Sequence, residues 1–200
     1  PAYGVLRALF PNRGAQYQAA YDSRIAAMPA DDARTKGLAL GSEVAAAVVA
    51  LRASDGRDHV FAPYVSGTTT GRFRSANTTP FNRHVPFIRP FSLTRIDQYR
   101  PPAPPPPDSA AYTVAFNLTK AVGASVSAAR SAEQFEIARF HTEPPNLFVT
   151  RNLGRFASST VDVAEAARLM AFVYVSHADA IGACFDAKYF YETWRPLSAI

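Results

Sequence analysis

Apolar residues along the first fifty positions recur at helical spacing, and prolines cut the pattern into pieces. Ala2 to Phe10 predicts a short helix stopped by Pro11. From Gly14 to Met28, Tyr17, Tyr21, Ile25 and Met28 return to one face every three or four residues before Pro29 ends the segment. Asp31 or Asp32 is positioned to cap a third helix by accepting from its free N–H groups. That helix carries Leu38, Leu40, Val44, Ala45, Val48, Val49 and Leu51. Its alanine content suits close helix–helix approach, and Gly56 suits a left-handed turn at its end.

From 57 to 107 the periodicity disappears. Thr, Gly, Asn and Pro dominate, including Gly67-Thr-Thr-Thr-Gly71, and proline repeatedly blocks regular structure. Phe73, Phe81, Phe87, Ile88, Phe91 and Tyr99 are too many apolar groups for a free linker, so the expectation is an ordered loop laid on the helices. Its arginines, Arg72, Arg74, Arg83, Arg89, Arg95 and Arg100, would suit an anionic entrance; solvation or local salt bridging is their ordinary fate. Six prolines between Pro101 and Pro107 predict an extended, polyproline-like spacer, in preference to a Pro-rich partner ligand.

Helical signals then resume. Asp108 or Ser109 caps a segment from Ala110 to Val122. Ser131 and Gln134 form a capping box for a helix to His141, and Asn146 is placed to cap another to Phe156. Asp162 opens the longest apolar segment, Val163 to Trp194. Because Leu169 to Val175 is apolar nearly all round, this helix is expected to be central and buried. The predicted fold is all-α: a bundle of roughly six helices around Val163–Trp194, one domain over 1–200, with one long ordered loop.

Composition narrows the classes. The chain is 48% hydrophobic and 18% charged, a globular balance. The net charge is +5, with three lysines against eighteen arginines. That suits anionic ligands but is too mild to imply nucleic acid binding, for which no motif appears. No run of 18 apolar residues occurs, so no membrane span is predicted. Cys184 stands alone in an apolar run, which predicts a buried, inert thiol. His59, His84, His141 and His177 lack metal-ligand spacing, so no metal site is predicted from the chain's own ligands. His177 and Asp179 are expected to be satisfied core polar groups.

The chemistry gathers in Asp186-Ala-Lys-Tyr-Phe-Tyr-Glu-Thr-Trp-Arg-Pro196. Lys188 and Arg195 are seven residues apart. On a helix that spacing returns to nearly one face two turns along, ~10 Å away. Two long cations can bend toward a common tetrahedral oxyanion, Arg195 offering a planar fork and Lys188 a compact charge. A solvated basic pair is the usual meaning of such spacing. Phe185, Tyr189, Phe190, Tyr191 and Trp194 crowd these two charges, however, and buried cations demand an anionic partner.

The pattern Lys188-x6-Arg195-Pro196 within DAKYFYETWRPLSAI resembles the first signature of the vanadium-dependent haloperoxidase and type-2 phosphatidic acid phosphatase (acid phosphatase) superfamily. Upstream, GSEVAAAVVALRASDGRD, the Gly/Thr/Arg loop, RPPAPPPPDSAAY and RSAEQFEIARF are similar to its soluble bacterial branch. The resemblance covers about Gly41 to Ile200. It implies that Lys188 and Arg195 neutralise the oxygens of bound vanadate or of a phosphate substrate, with Phe185 as a pocket wall where relatives often carry Trp. It implies peroxide and halide, or a phosphate ester, as further small-molecule partners, and a secreted or periplasmic location. The family's Pro-Ser-Gly-His and Ser-Arg-x5-His motifs, the last supplying the nucleophile or vanadate ligand, are not found here. The chain, which opens on Pro1, is therefore expected to be the middle piece of a longer protein, holding half a site and completed by a C-terminal companion segment. It is expected to be inactive alone. The competing expectation is a non-catalytic helical scaffold or interaction domain.

Overall fold

The structure, a computed structural model, describes residues 1–157 and 162–200. Among these are eight α-helices and no strand; the only extended pairing among them is one isolated antiparallel bridge. The chain is all-α, and it divides into two compact units, Pro1–Arg57 and Asp58–Ile200.

The first unit holds α1 (Ala2–Leu9), α2 (Gly14–Ala26) and α3 (Asp32–Leu51). Asp31 caps α3 by accepting from the Arg34 N–H at 2.8 Å. Helix α1 packs on both α2 and α3. Its approach to α3 is close: a Cβ on Gly4 would stand 2.6 Å from that of Ala45, which is buried. Tyr3 stacks on Tyr21 at 4.2 Å, joining α1 to α2. Gly56 does adopt a positive φ of 93°, but it lies beyond the helix end, which Arg52 closes at φ −103°. There the Arg52 guanidinium donates to Asp55 at 3.0 Å, with both side chains buried.

The second unit holds α4 (Ala110–Val122), α5 (Ala132–Phe140), α6 (Pro145–Ala157), α7 (Val163–Tyr191) and α8 (Pro196–Ala199). Ser109 caps α4, the Ser131–Gln134 box opens α5, and Asp162 caps α7, all by side-chain acceptance from backbone N–H groups. Helix α6 begins at Pro145, one residue ahead of Asn146, because proline, lacking an N–H, suits a first helical turn whose N–H groups have no intrahelical acceptor.

Two expectations for the long helix are corrected. It stops at Tyr191, three residues short of Trp194, because Glu192 turns left-handed (φ 46°, ψ 42°) and caps it. It is also not buried along its apolar stretch: Leu169, Phe172 and Tyr174 are exposed, Phe172 by 62%. The described elements lie against only parts of it, α6 and a short 3-10 turn at Val85–Phe87. Its buried residues, Asp179, Gly182 and Asp186, all fall in the C-terminal half, where the loop covers it. Cys184 is likewise exposed rather than buried.

The loop of 58–107 is ordered against α7 as its aromatic content predicts. Tyr189 donates to the Phe81 carbonyl and Tyr191 to the Pro101 carbonyl, each at 2.6 Å. Asp179, only 4% exposed, accepts from the N–H groups of Phe91, Ser92 and Leu93 at 2.7, 2.8 and 3.1 Å. The Ser92 hydroxyl adds a fourth bond at 2.7 Å. Burial alone pushes this carboxyl's pKa up, but the four donors more than reverse that and hold it below the ordinary value. The expectation of a satisfied core residue therefore holds for Asp179. It fails for His177, whose buried Nε2 has no hydrogen-bond partner among the described residues.

Candidate functional site

The end of α7 is built by its cap. With Glu192 left-handed, the chain leaves the helix and runs back beside the loop. Thr193 bridges antiparallel to Arg72, the Phe73 N–H donates to the Glu192 carbonyl at 2.6 Å, and the Trp194 N–H donates to the Gly71 carbonyl at 2.9 Å. Gly71 is required at this crossing. Its φ of 85° disfavours any side chain, and a Cβ there would meet Pro107 at 2.8 Å. Arg72 reaches Glu192 at 3.6 Å, tying the cap to the loop.

Arg195 consequently does not share a helix face with Lys188. It is the extended residue (φ −93°, ψ 159°) before Pro196 and the N-terminal cap of α8. The two-turn projection along one helix fails because α7 already ends at Tyr191 under the left-handed Glu192, and the residue before Pro196 is itself driven out of helical geometry. Lys188 lies in the last turn of α7.

The two cations nevertheless line one cleft of about 320 Å³, together with Phe73, Phe185, Tyr189, Tyr191, Thr193 and a wall of Pro101, Pro102 and Pro104. Phe185 is among the residues lining this cleft. Lys188 Nζ lies 4.5 Å from the Phe185 ring centre, and the Arg195 guanidinium 5.5 Å from that of Phe73. No carboxylate and no histidine belongs to this lining. Among the described residues neither Lys188 nor Arg195 makes an ion pair.

The nearby carboxylates are engaged elsewhere. Asp186, two residues before Lys188, accepts both arms of Arg100 at 2.7 and 2.9 Å. Hydrogen bonding to Asp186 raises the Arg100 pKa, and the guanidinium also lies 3.7 Å over the Phe190 ring. Glu192 is held by Arg72. Burial raises the pKa of the Tyr189 phenol, and the positive charges of Arg195 and Arg83 work against that rise. Trp194 Nε1 donates to the Tyr112 hydroxyl, which ties the end of the segment to α4.

Among the loop arginines Arg95 pairs locally with Asp97, as the ordinary reading has it, whereas Arg72 and Arg100 reach across to Glu192 and Asp186 at the end of α7. Arg83 instead donates to the Ala62 carbonyl at 2.7 Å and lies over Phe61 and Tyr64. The proline wall was not foreseen as part of the site, although the density of proline beside Arg100 is the signal that would have drawn attention to it. Among the described residues no group of His, Cys, Asp and Glu side chains is arranged to hold a metal ion. No described helix is long and apolar enough to cross a membrane. Compared with known proteins, the chain matches no family model, no curated protein and no solved structure.

Proposed function

We propose that this cleft binds a tetrahedral oxyanion, vanadate or phosphate, as the Lys-x6-Arg-Pro half-site of a protein of the vanadium-dependent haloperoxidase and acid phosphatase kind. One observation carries the reading: two cations that make no ion pair among the described residues line an aromatic cleft whose described lining contains no negative side chain. Lys188 and Arg195 are both exposed, not buried as the aromatic neighbours suggested, so burial does not force an anion on them. Their convergence on one cleft favours an anionic ligand, whereas the C-terminal end of α7, being itself electronegative, supplies no attraction.

The donor set fits part of what such an anion needs. Arg195 offers a fork of N–H donors and Lys188 a mobile ammonium, enough to neutralise oxygens in a plane. The histidine that the family resemblance assigns to covalent attachment has no counterpart in the lining. The role of this chain's residues is therefore charge neutralisation and orientation of the anion. Vanadate, when bound, supplies activation of peroxide toward halide, whereas a phosphate ester is itself the substrate.

The test is titration of the full chain with orthovanadate and with inorganic phosphate, read by vanadium NMR and calorimetry. Each charge-assisted contact is worth about 1.5–3 kcal/mol, so Arg195→Ala or Lys188→Ala is expected to weaken binding about 10- to 100-fold. Equally weak binding by the wild type and by Arg195→Ala would overturn the assignment and favour the non-catalytic scaffold.

A further inference from the structure

A site for a bare tetrahedral anion needs little room. This cleft, at about 320 Å³, falls at the lower end of sites for organic small molecules, about 300–1,000 Å³. Its two cations account for the charged end of a ligand. The remaining lining is largely hydrocarbon: Phe73, Phe185, Pro101, Pro102 and Pro104. We propose that the 101–104 proline segment is the specificity surface of the cleft, taking the aromatic or aliphatic group of an organic oxyanion whose charged end lies on Lys188 and Arg195. This inference rests on the oxyanion reading above.

Proline suits the task. It has no backbone N–H to satisfy, its ring is a stiff apolar plate, and an extended run of such rings keeps its shape without a packed core behind it. The run is also fastened at its start to the helix that carries Lys188. Asp186 grips Arg100 with two bonds at 2.7 and 2.9 Å, and Tyr191 holds the Pro101 carbonyl at 2.6 Å. The Arg100 guanidinium also lies 3.7 Å over the Phe190 ring, a second contact on the same charged group. Asp186 and Tyr191 bracket Lys188 in sequence, two residues before it and three after. The charged and apolar parts of the cleft are thus kept in register by the same two turns of α7. An organic group meeting this wall has no loop to order, which removes a cost that flexible sites bear. Asp186 acts through Arg100 and is a positioning residue.

The experiment compares inorganic phosphate, methyl phosphate and phenyl phosphate by calorimetry on the full chain, with phenol as the uncharged control. Phenyl phosphate is expected to bind at least about tenfold tighter than inorganic phosphate, with methyl phosphate between them. Asp186→Asn, checked for folding by circular dichroism, is expected to bring that ratio down toward one. Pro102→Ser, which removes one ring and keeps the extended chain, supplies the same comparison without touching the clasp. Equal affinity for the three phosphates in the wild type would overturn the wall while leaving the oxyanion reading standing. Binding of phenol as tight as phenyl phosphate, or no binding of any phosphate, would overturn both. A tenfold ratio surviving in a folded Asp186→Asn would overturn the role of the clasp.

Discussion

Asp179→Asn is the substitution for which the structure supports a worked magnitude. The carboxylate is 4% exposed and accepts four hydrogen bonds from three consecutive loop residues. A bond to a charged acceptor contributes about 1.5–3 kcal/mol against about 0.5–1.5 for a neutral one, so four bonds weakened by ~1 each lose about 4 kcal/mol. In addition, the amide NH2 must face one of the N–H donors. Relief of the desolvation carried by the buried charge offsets about half the loss, leaving a net cost of ~2 kcal/mol at neutral pH.

The pH dependence carries its own sign. The native carboxyl titrates below its ordinary value. Its stabilisation is therefore fully present above the unfolded Asp pKa of about 3.9, and is lost as pH falls through the depressed native value. Asn has no such titration, so the gap between wild type and variant should close below pH 4. Urea denaturation followed by circular dichroism at pH 7 and pH 3 measures both effects. A loss under ~0.5 kcal/mol at pH 7, or a gap that widens in acid, would refute the idea that these bonds hold the loop on the helix.

Four further outcomes follow from contacts described above. Lys188→Ala combined with Arg195→Ala should abolish measurable vanadate binding, checked by vanadium NMR; retained binding would move the site elsewhere. The chain should turn over neither p-nitrophenyl phosphate nor bromide with peroxide, since no histidine lines the cleft; measurable activity in either assay would overturn the half-site reading. Gly4→Ala should destabilise the first unit by about 1–2 kcal/mol, because its Cβ would stand 2.6 Å from that of Ala45. Ala45→Gly in the same chain removes the clash but, as a glycine inside α3, itself costs about 0.5–1 kcal/mol, so it should recover at most part of that loss in thermal melts. Tyr191→Phe removes an exposed bond to the Pro101 carbonyl and should cost no more than ~1 kcal/mol, read by urea denaturation.

Local signals carried much of the helical architecture. Asp31, Ser109, Ser131 with Gln134, and Asp162 all cap helices where side chains of their type accept from free N–H groups, a decision made within three residues. The partners that hold the loop were not legible. Asp179 and Phe91 are 88 residues apart, and Arg100 and Asp186 are 86 apart, so no spacing rule connects them. Lys188 and Arg195 line one cleft, but not along one helix face as their spacing suggested. Periodicity assumes a continuing helix, whereas Glu192 enters left-handed geometry that a non-glycine residue seldom adopts. The exposure of Phe172 on a stretch apolar nearly all round has a similar origin. Periodicity reports which residues prefer burial, not whether a neighbouring element arrives to cover them.

The exposed thiol of Cys184 offers an experimental handle. It is the sole cysteine of the chain and stands one helical turn before Lys188, on the same side of α7. A maleimide fluorophore or nitroxide would attach at a single position without any engineered substitution. Its emission or line shape would report directly on anion arrival at the neighbouring lysine, including for ligands that release too little heat for calorimetry.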